Sequence, residues 1–394
     1  VPSPEDYTDS KIDTHSDDEV PSIAIIPFEN KGKKEDVFYA YGISADLISD
    51  CSSAGLIRVA GLKEVEELGD IPFKEKAKKL FVRYVATGSL WKMDDMFQLS
   101  VELYDTKDNK VVWSDRWQEK WDNLSTIKGS LSDGLLKALD TKPKIEKKIE
   151  TTNAEAYEFY LKAKHKYDKR ENTDDTEIAR GLLKKAIEID DNLIVAKLLL
   201  GTTYMQMGDY DEAMEIYTPA LKQSEGLGDK MGMGSSLGNI GGVHYYKGDY
   251  DKALDYYGKS LAIQEELGDK RGMGYSLNSI GNVHYYKGDY DKALEHLEKS
   301  LTIQKEIGLK GLELETTTYL YLTYKHLGKE YDVKDIHSLI KEAENIEFEL
   351  NLRLYELLED KSYLETSYSQ VQELANNLEP DVAAKFLSYP IPKA

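Results

Sequence analysis

The spacing of apolar residues changes several times along the first 140 positions. Ser22-Ile23-Ala24-Ile25-Ile26-Pro27-Phe28 is a short β-branched run bounded by prolines, which predicts a buried strand. Over 36–53 the apolar positions Phe38, Ile43, Leu47 and Ile48 fall at helical spacing, while 56–60 predicts a second short strand and 73–80 a short helix. The period then drops to two. Phe97, Leu99, Val101 and Leu103 alternate with Gln98, Ser100, Glu102 and Tyr104, the signature of a strand with one buried and one wet face. Flanking apolar runs at 82–91 and 111–119 are set off by Asp94-Asp95 and Asp108-Asn109, so three antiparallel strands in a meander are expected. A helix over 124–139 closes this unit.

In the second half the pattern is helical and it repeats. Residues 231–270 match 271–310 at 27 of 40 positions, and Gly-Asp-Tyr recurs at Gly208, Gly248 and Gly288, with a weaker echo at Gly328-Lys329-Glu330-Tyr331. One apolar stripe runs through Leu237, Ile240, Gly241 and His244, another through Tyr250, Ala253, Leu254, Tyr257 and Leu261. Spacings of three, four and seven place each set on one helical face, and the Gly-Asp between them breaks the helix, so each unit is a helical hairpin. Self-similarity at this period indicates small units that bury their apolar faces only by stacking. A less regular unit over 154–189 precedes them, with Tyr157, Tyr160 and Ala163 on one helix and Leu182, Leu183, Ala186 and Ile187 on the next. Beyond Gly328 the stretches 336–346, 348–358 and 363–374 stay helical without the small-residue signature, as the ends of a solenoid require. About five hairpins and a helical cap are expected. WD40 blades share the period but need strands.

Length and charge narrow the picture. A chain of 394 residues suits two or three folding units. The expected boundaries are a flexible acidic linker at 1–20, an α/β domain at 21–141, a linker at 142–152, a repeat array at 153–345 and a helical carboxy-terminal cap at 346–394. The opening stretch, polar and acidic without an initiator Met, reads as part of a fragment or processed chain. Acidic residues outnumber basic ones 72 to 51, a net charge of −21, so nucleic acid is not an expected partner. Cys51 is the only cysteine, which removes internal disulfides and cysteine-based zinc sites. No apolar run approaches the roughly 20 residues of a membrane helix. Tyrosine outnumbers phenylalanine 28 to 8, and its flat ring with a polar tip serves helix packing and peptide contact alike.

Two resemblances follow from the motifs. The strand SIAIIPFEN, the Gly42-Ile43-Ser44-Ala45-Asp46-Leu47-Ile48 stretch, the RYVATGSLW segment from Arg83 and LYDTKDNKVVWS together resemble the TolB amino-terminal-like domain, over about 120 residues. Tyr41 departs from the Asp usual before Gly-Ile, and Phe81 from the Gly usual before the Val-x-Tyr strand. The resemblance implies a connector beside a class III adenylate cyclase, protein kinase or transcription-factor output domain, often followed by tetratricopeptide repeats. The GDYDKAL units resemble that repeat, lengthened from its usual 34 residues to 40, with Gly201, Gly241 and Gly281 at the small position of the first helix and Ala213, Ala253 and Ala293 at that of the second. The fold class is thus α+β overall, a small α/β domain with an antiparallel meander followed by an all-α tetratricopeptide repeat solenoid.

By the same resemblance, first helices line a concave groove for a peptide or protein ligand, and its exposed positions fall at Ser235, Gly238, Gly242 and Tyr245 in one repeat and Tyr275, Asn278, Asn282 and Tyr285 in the next. Asn278 and Asn282 share a helical face, where amides can hydrogen-bond an extended peptide, and Gly238 with Gly242 leaves a bare floor. An interior Gly costs about 1 kcal/mol relative to Ala, so this pair calls for a reason, either close approach of a partner or drift after duplication.

Other signals are weaker. Gly232-Met233-Gly234 lacks the preceding strand and the spacing of a dinucleotide loop. His244 and His284 occupy a packing position and lack further metal ligands in sequence, and the acidic run at 9–19 lacks the alternation and Gly of a calcium loop. With no catalytic motif, no cofactor, metal or enzymatic activity is expected. The expectation is a non-catalytic regulatory and protein-interaction region of a bacterial signalling protein, cytoplasmic, beside an adenylate cyclase domain, with a homodimer among the assemblies open to it. The alternative is a stand-alone periplasmic or envelope-associated repeat protein binding peptide or protein.

Overall fold

The computed structural model describes residues 21–53, 57–141, 153–343 and 346–393; the expected linkers at 1–20 and 142–152 lie outside the described residues. The chain begins with β1 (Ser22–Ile25), β2 (Glu29–Asn30), α1 (Val37–Ser53), β3 (Arg58–Val59), α2 (Leu62–Glu67) and α3 (Phe73–Lys79). It continues with β4 (Tyr84–Met93), β5 (Met96–Asp105), β6 (Lys110–Lys120) and α4 (Leu124–Ala138). The sheet runs β3-β1-β4-β5-β6, with β2 paired to β4 beyond the end of β1. β4, β5 and β6 form the expected antiparallel meander, and β1 and β3 extend it in parallel. The strand expected over 22–28 is shorter, ending at Ile25 before Pro27, and a separate two-residue strand, β2, follows it; both pair with β4. The short helix α2 has no counterpart among the elements expected from sequence.

The alternation in β5 does what its period predicts: Phe97, Leu99, Val101 and Leu103 are fully buried. Gly88 in β4 opposes Val101, and a Cβ there would lie 2.6 Å from the Ser100 carbonyl and 2.9 Å from the Phe28 ring. Only Gly fits between the two. Phe81, which stands where the resemblance calls for Gly, has φ of 53°, so the left-handed backbone is retained without the residue that favours it.

Five hairpins follow: α5 (Ala154–Asp168) with α6 (Thr173–Ile189), α7 (Ile194–Gln206) with α8 (Tyr210–Leu227), α9 (Lys230–Tyr246) with α10 (Tyr250–Leu267), α11 (Lys270–Tyr286) with α12 (Tyr290–Ile307), and α13 (Lys310–Leu327) with α14 (Val333–Glu342). The recurrent Gly-Asp has a local cause. Gly208, Gly228, Gly248, Gly268 and Gly288 all hold positive φ and stop a helix. Asp209, Asp229 and Asp269 then cap the next one, Asp229 and Asp269 each accepting a backbone N–H at 3.0 Å. Within hairpins the small positions act as expected. A Cβ on Gly201 would lie 2.4 Å from the Tyr217 ring, one on Gly241 2.8 Å from the Tyr257 ring and one on Gly281 2.6 Å from Leu297. Ala213, Ala253 and Ala293 are completely buried.

Between hairpins a ladder recurs. Tyr210 stacks on Tyr246 at 5.4 Å, Tyr250 on Tyr286 at 5.7 Å and Tyr290 on His326 at 4.3 Å between ring centres. Lys247 pairs with Asp211 and Lys287 with Asp251. Within hairpins, Ser260 and Ser300 donate to the carbonyls of Gly234 and Gly274.

The cap comprises α15 (Phe348–Leu358), α16 (Lys361–Asn376), α17 (Pro380–Phe386) and α18 (Pro390–Lys393). It turns back along the solenoid: Phe386 covers the Gly208 turn, Pro390 the Gly248 turn, and Lys385 pairs with Asp211. The α/β domain is equally engaged. One apolar core runs from β1 and β5 through α1 and α4 into Leu161, Leu183 and Leu200 of the first hairpins. Gly42 of α1 sits against Leu161, where a Cβ would lie 2.5 Å from a methyl. Asp46 accepts from Lys164 at 2.8 Å and from the Tyr157 hydroxyl, and Tyr41, the other departure from the resemblance, donates to Asp168 at 3.2 Å.

Candidate interaction groove

The first helices of the last three hairpins, α9, α11 and α13, present tyrosines toward α15. The hydroxyls of Tyr245, Tyr286 and Tyr319 converge on one oxygen of Glu349, that of Tyr286 at 3.3 Å, and Tyr245 and Tyr319 lie 3.2 Å from each other. Burial, and next the Glu349 charge, push all three phenols well above their ordinary range, so they remain donors. One turn along α15, the Arg353 guanidinium lies over the Tyr286 ring at 5.2 Å and pairs with Glu356 at 2.6 Å. Lys325 of α13 donates to the Glu356 carbonyl at 2.9 Å.

Beneath this clamp lies a second polar cluster. Asn278 and Asn282 donate to the same oxygen of Glu315 at 2.8 and 2.7 Å. Thr316 donates to the Asn278 carbonyl at 2.8 Å and receives the Gln304 amide at 2.6 Å. Desolvation, then the nearby Glu349 charge, raise the Glu315 carboxyl from 4.5 to about 7 against the two amides that lower it. Hydrogen bonding inside the cluster leaves Asn282 Oδ1, Gln304 Oε1 and the Arg353 Nε without partners.

These contacts revise the expected groove. Of the eight positions, Ser235 and Tyr275 are exposed, Tyr275 beneath Arg271, and Gly238 is half-buried. Gly242, Tyr245, Asn278, Asn282 and Tyr285 are buried. Asn278 and Asn282 do share a helical face, but they address Glu315 of the next helix rather than solvent. Tyr245 is taken by Glu349, and Tyr285 lies near Glu356 and His326, each 3.5 Å from its hydroxyl. The physical reason is that the chain's own α13 and α15 cover positions that the repeat resemblance assigns to the floor. The glycines differ as well: Cβ atoms at Gly238 and Gly242 would meet nothing nearer than 3.4 and 3.5 Å. Internal packing therefore does not demand these two glycines.

Glu349, Arg353 and Glu315 do not stand out from sequence as site residues. A signal exists for two of them: in Phe348-Glu349-Leu350-Asn351-Leu352-Arg353-Leu354 opposite charges four apart interrupt an apolar helix. His244 faces Asp249 at 3.3 Å and stacks on Tyr256, and His284 stacks on His296, both engaged within the hairpins. No group of three metal-ligating side chains occurs among the described residues. No described helix is long and apolar enough to cross a membrane.

Elsewhere the groove is divided by the α/β domain. Ser235 borders a cavity of about 130 Å³ shared with Asp46 and Asp50 of α1. A larger opening of about 790 Å³ remains where Lys63, the first two hairpins and the cap meet, walled by Tyr167, Gln206, Tyr246, Glu347 and Phe348 among others.

Residues 192–266 and 232–306 each match the tetratricopeptide repeat family, two windows displaced by one forty-residue unit. No curated protein matches the chain. Among solved structures, BtubC from P. vanneervenii is similar over 47% of this chain and 77% of that one, at 21% identity and a TM-score of 0.38. TolB from Acinetobacter baumannii is similar over 30% of this chain and 28% of that one, at 18% identity and a TM-score of 0.24. A Rap protein complexed with competence and sporulation factor is similar over 68% of this chain and 67% of that one, at 17% identity and a TM-score of 0.41. All three are too distant in sequence and shape to carry a functional argument.

Proposed function

We propose that this chain is a regulatory, non-catalytic protein-interaction region: the repeats bind a peptide, a protein or a second copy, and the TolB amino-terminal-like domain transmits the state of the repeats to a neighbouring output domain. The observation that carries this reading is the apolar core that continues from the sheet into the first hairpins without a break. A change in the repeats would therefore reach the sheet through packed side chains rather than through a loose tether. The sequence resemblance favours a class III adenylate cyclase as the output domain in a cytoplasmic bacterial protein, and the boundaries at 141, 153 and 346 mark its working parts.

The opening of about 790 Å³ is the proposed point of entry. A random-peptide library presented to the whole chain is expected to enrich binders, and Gln206→Arg with Glu347→Arg is expected to lose them. No enrichment, or equal retention by the variant, overturns the reading. The coding sequence ahead of Val1 tests the output domain: a cyclase domain supports it, and a secretion signal favours an envelope protein instead.

A further inference from the structure

We propose that α15 is an internal ligand of the groove, and that an external partner enters between α9 and α13 by replacing it with an amphipathic helix that presents a carboxylate to Tyr245, Tyr286 and Tyr319. This deepens the interaction reading given under Proposed function and rests on it.

The contact made by α15 joins burial of an apolar stripe, with Leu354 and Leu357 in the core of the last hairpins, to recognition by charge and hydrogen bonding. Three phenols from three successive hairpins meet a single carboxylate, although 104 residues separate Tyr245 from Glu349. Hydrogen bonds to a charged acceptor are among the stronger ones, and three buried hydroxyls facing no acceptor would be costly. Hence any helix that takes this place must bring a carboxylate. Arg353, four residues on, adds the second requirement, a guanidinium or similar cation over the Tyr286 face.

The fit of α15 is imperfect in two respects. Its Glu349 stands near the buried Glu315 carboxyl, a like-charge pairing, and the Arg353 Nε is buried without a partner. The rest of the cap covers the Gly208 and Gly248 turns, whereas a Cβ at the Gly288 or Gly328 turn would meet nothing within 4 Å. A competing helix therefore has both a better-matched clamp to gain and two open turns beside which to enter.

The test uses the whole chain and a fluorescent peptide spanning residues 346–360. In Glu349→Ala, amide exchange over 348–358 is expected to rise at least about tenfold while 230–307 stays protected, and the peptide is expected to bind at least about tenfold tighter than to the unchanged chain. The same peptide carrying Glu349→Ala should not bind. The conservative triple variant Tyr245→Phe, Tyr286→Phe, Tyr319→Phe keeps the ring packing, so it should loosen α15 to the same degree yet take up no peptide. Unchanged exchange in the triple variant, or equal binding of the two peptides, overturns the proposal. Because the probe is the chain's own segment, this experiment can fail while library-selected peptides still bind, and it can succeed while none are found.

Discussion

The α/β domain with its first hairpins and the middle repeats α9–α12 are both well packed, but they are held together differently. In the first, Ile23, Phe97, Leu131, Leu161 and Leu183 belong to a single core, so each residue depends on elements far apart in the chain. In the second, the stabilising contacts are copied from one unit to the next: a tyrosine stack and a Lys–Asp pair between neighbours, and a serine on a glycine carbonyl within each hairpin. A single core fails as a whole, whereas a ladder fails rung by rung. All four tryptophans lie between Trp91 and Trp121, so their fluorescence reports the α/β domain while circular dichroism is dominated by the helices.

That difference can be broken most severely at the shared core. Leu161→Ala removes a fully buried side chain facing Gly42 and is expected to cost about 2–5 kcal/mol, with the tryptophan signal and the first helical transition shifting together in urea. Separate midpoints would show that the two regions are independent. Gly241→Val, by contrast, presses on the Tyr257 ring inside a middle hairpin and is expected to cost about 1–3 kcal/mol. Its loss should appear in circular dichroism with the tryptophan midpoint unmoved.

Two smaller effects sharpen the contrast within the groove. Glu315 is raised to about 7 in the folded chain against 4.5 when unfolded, so the folded state keeps its proton longer. Its contribution is therefore fully present below pH 4.5 and is lost as pH rises through about 7. Glu315→Gln keeps an oxygen for both asparagines, and its stability relative to the unchanged chain should rise across that window; parallel melting curves from pH 5 to 8 would reject the assignment. Gly242→Ala meets only ordinary contacts at 3.5 Å and should stabilise the array by up to about 1 kcal/mol. Destabilisation on melting would mean that the bare floor is required by the fold itself. For Asn278 and Asn282, alanine should lower the melting temperature whether or not any partner binds, because Glu315 would lose both donors.

Much of the fold is legible in the chain because its causes are local. Alternation at Phe97 to Leu103, Gly-Asp punctuation at the helix ends and small residues at Gly241 and Ala253 are each read within a few positions, and each appears in the structure for the reason the pattern implies. The shortfall is also physical. The first strand stops at Ile25, short of Pro27, and Leu62–Glu67 carries too little amphipathic pattern to declare a helix.

The groove is legible only as a surface. In the sequence, the repeat resemblance alone pointed to the residues a solenoid would turn inward, because repeat register needs no knowledge of distant partners. What occupies that surface was decided by tertiary structure alone: Glu349 reaches Tyr245 from 104 positions away, and Glu315 reaches Asn278 from the following repeat. Nothing in the period of a repeat encodes where the rest of its own chain will fold back, since that choice is made by hydrogen bonding and burial between segments far apart in the chain.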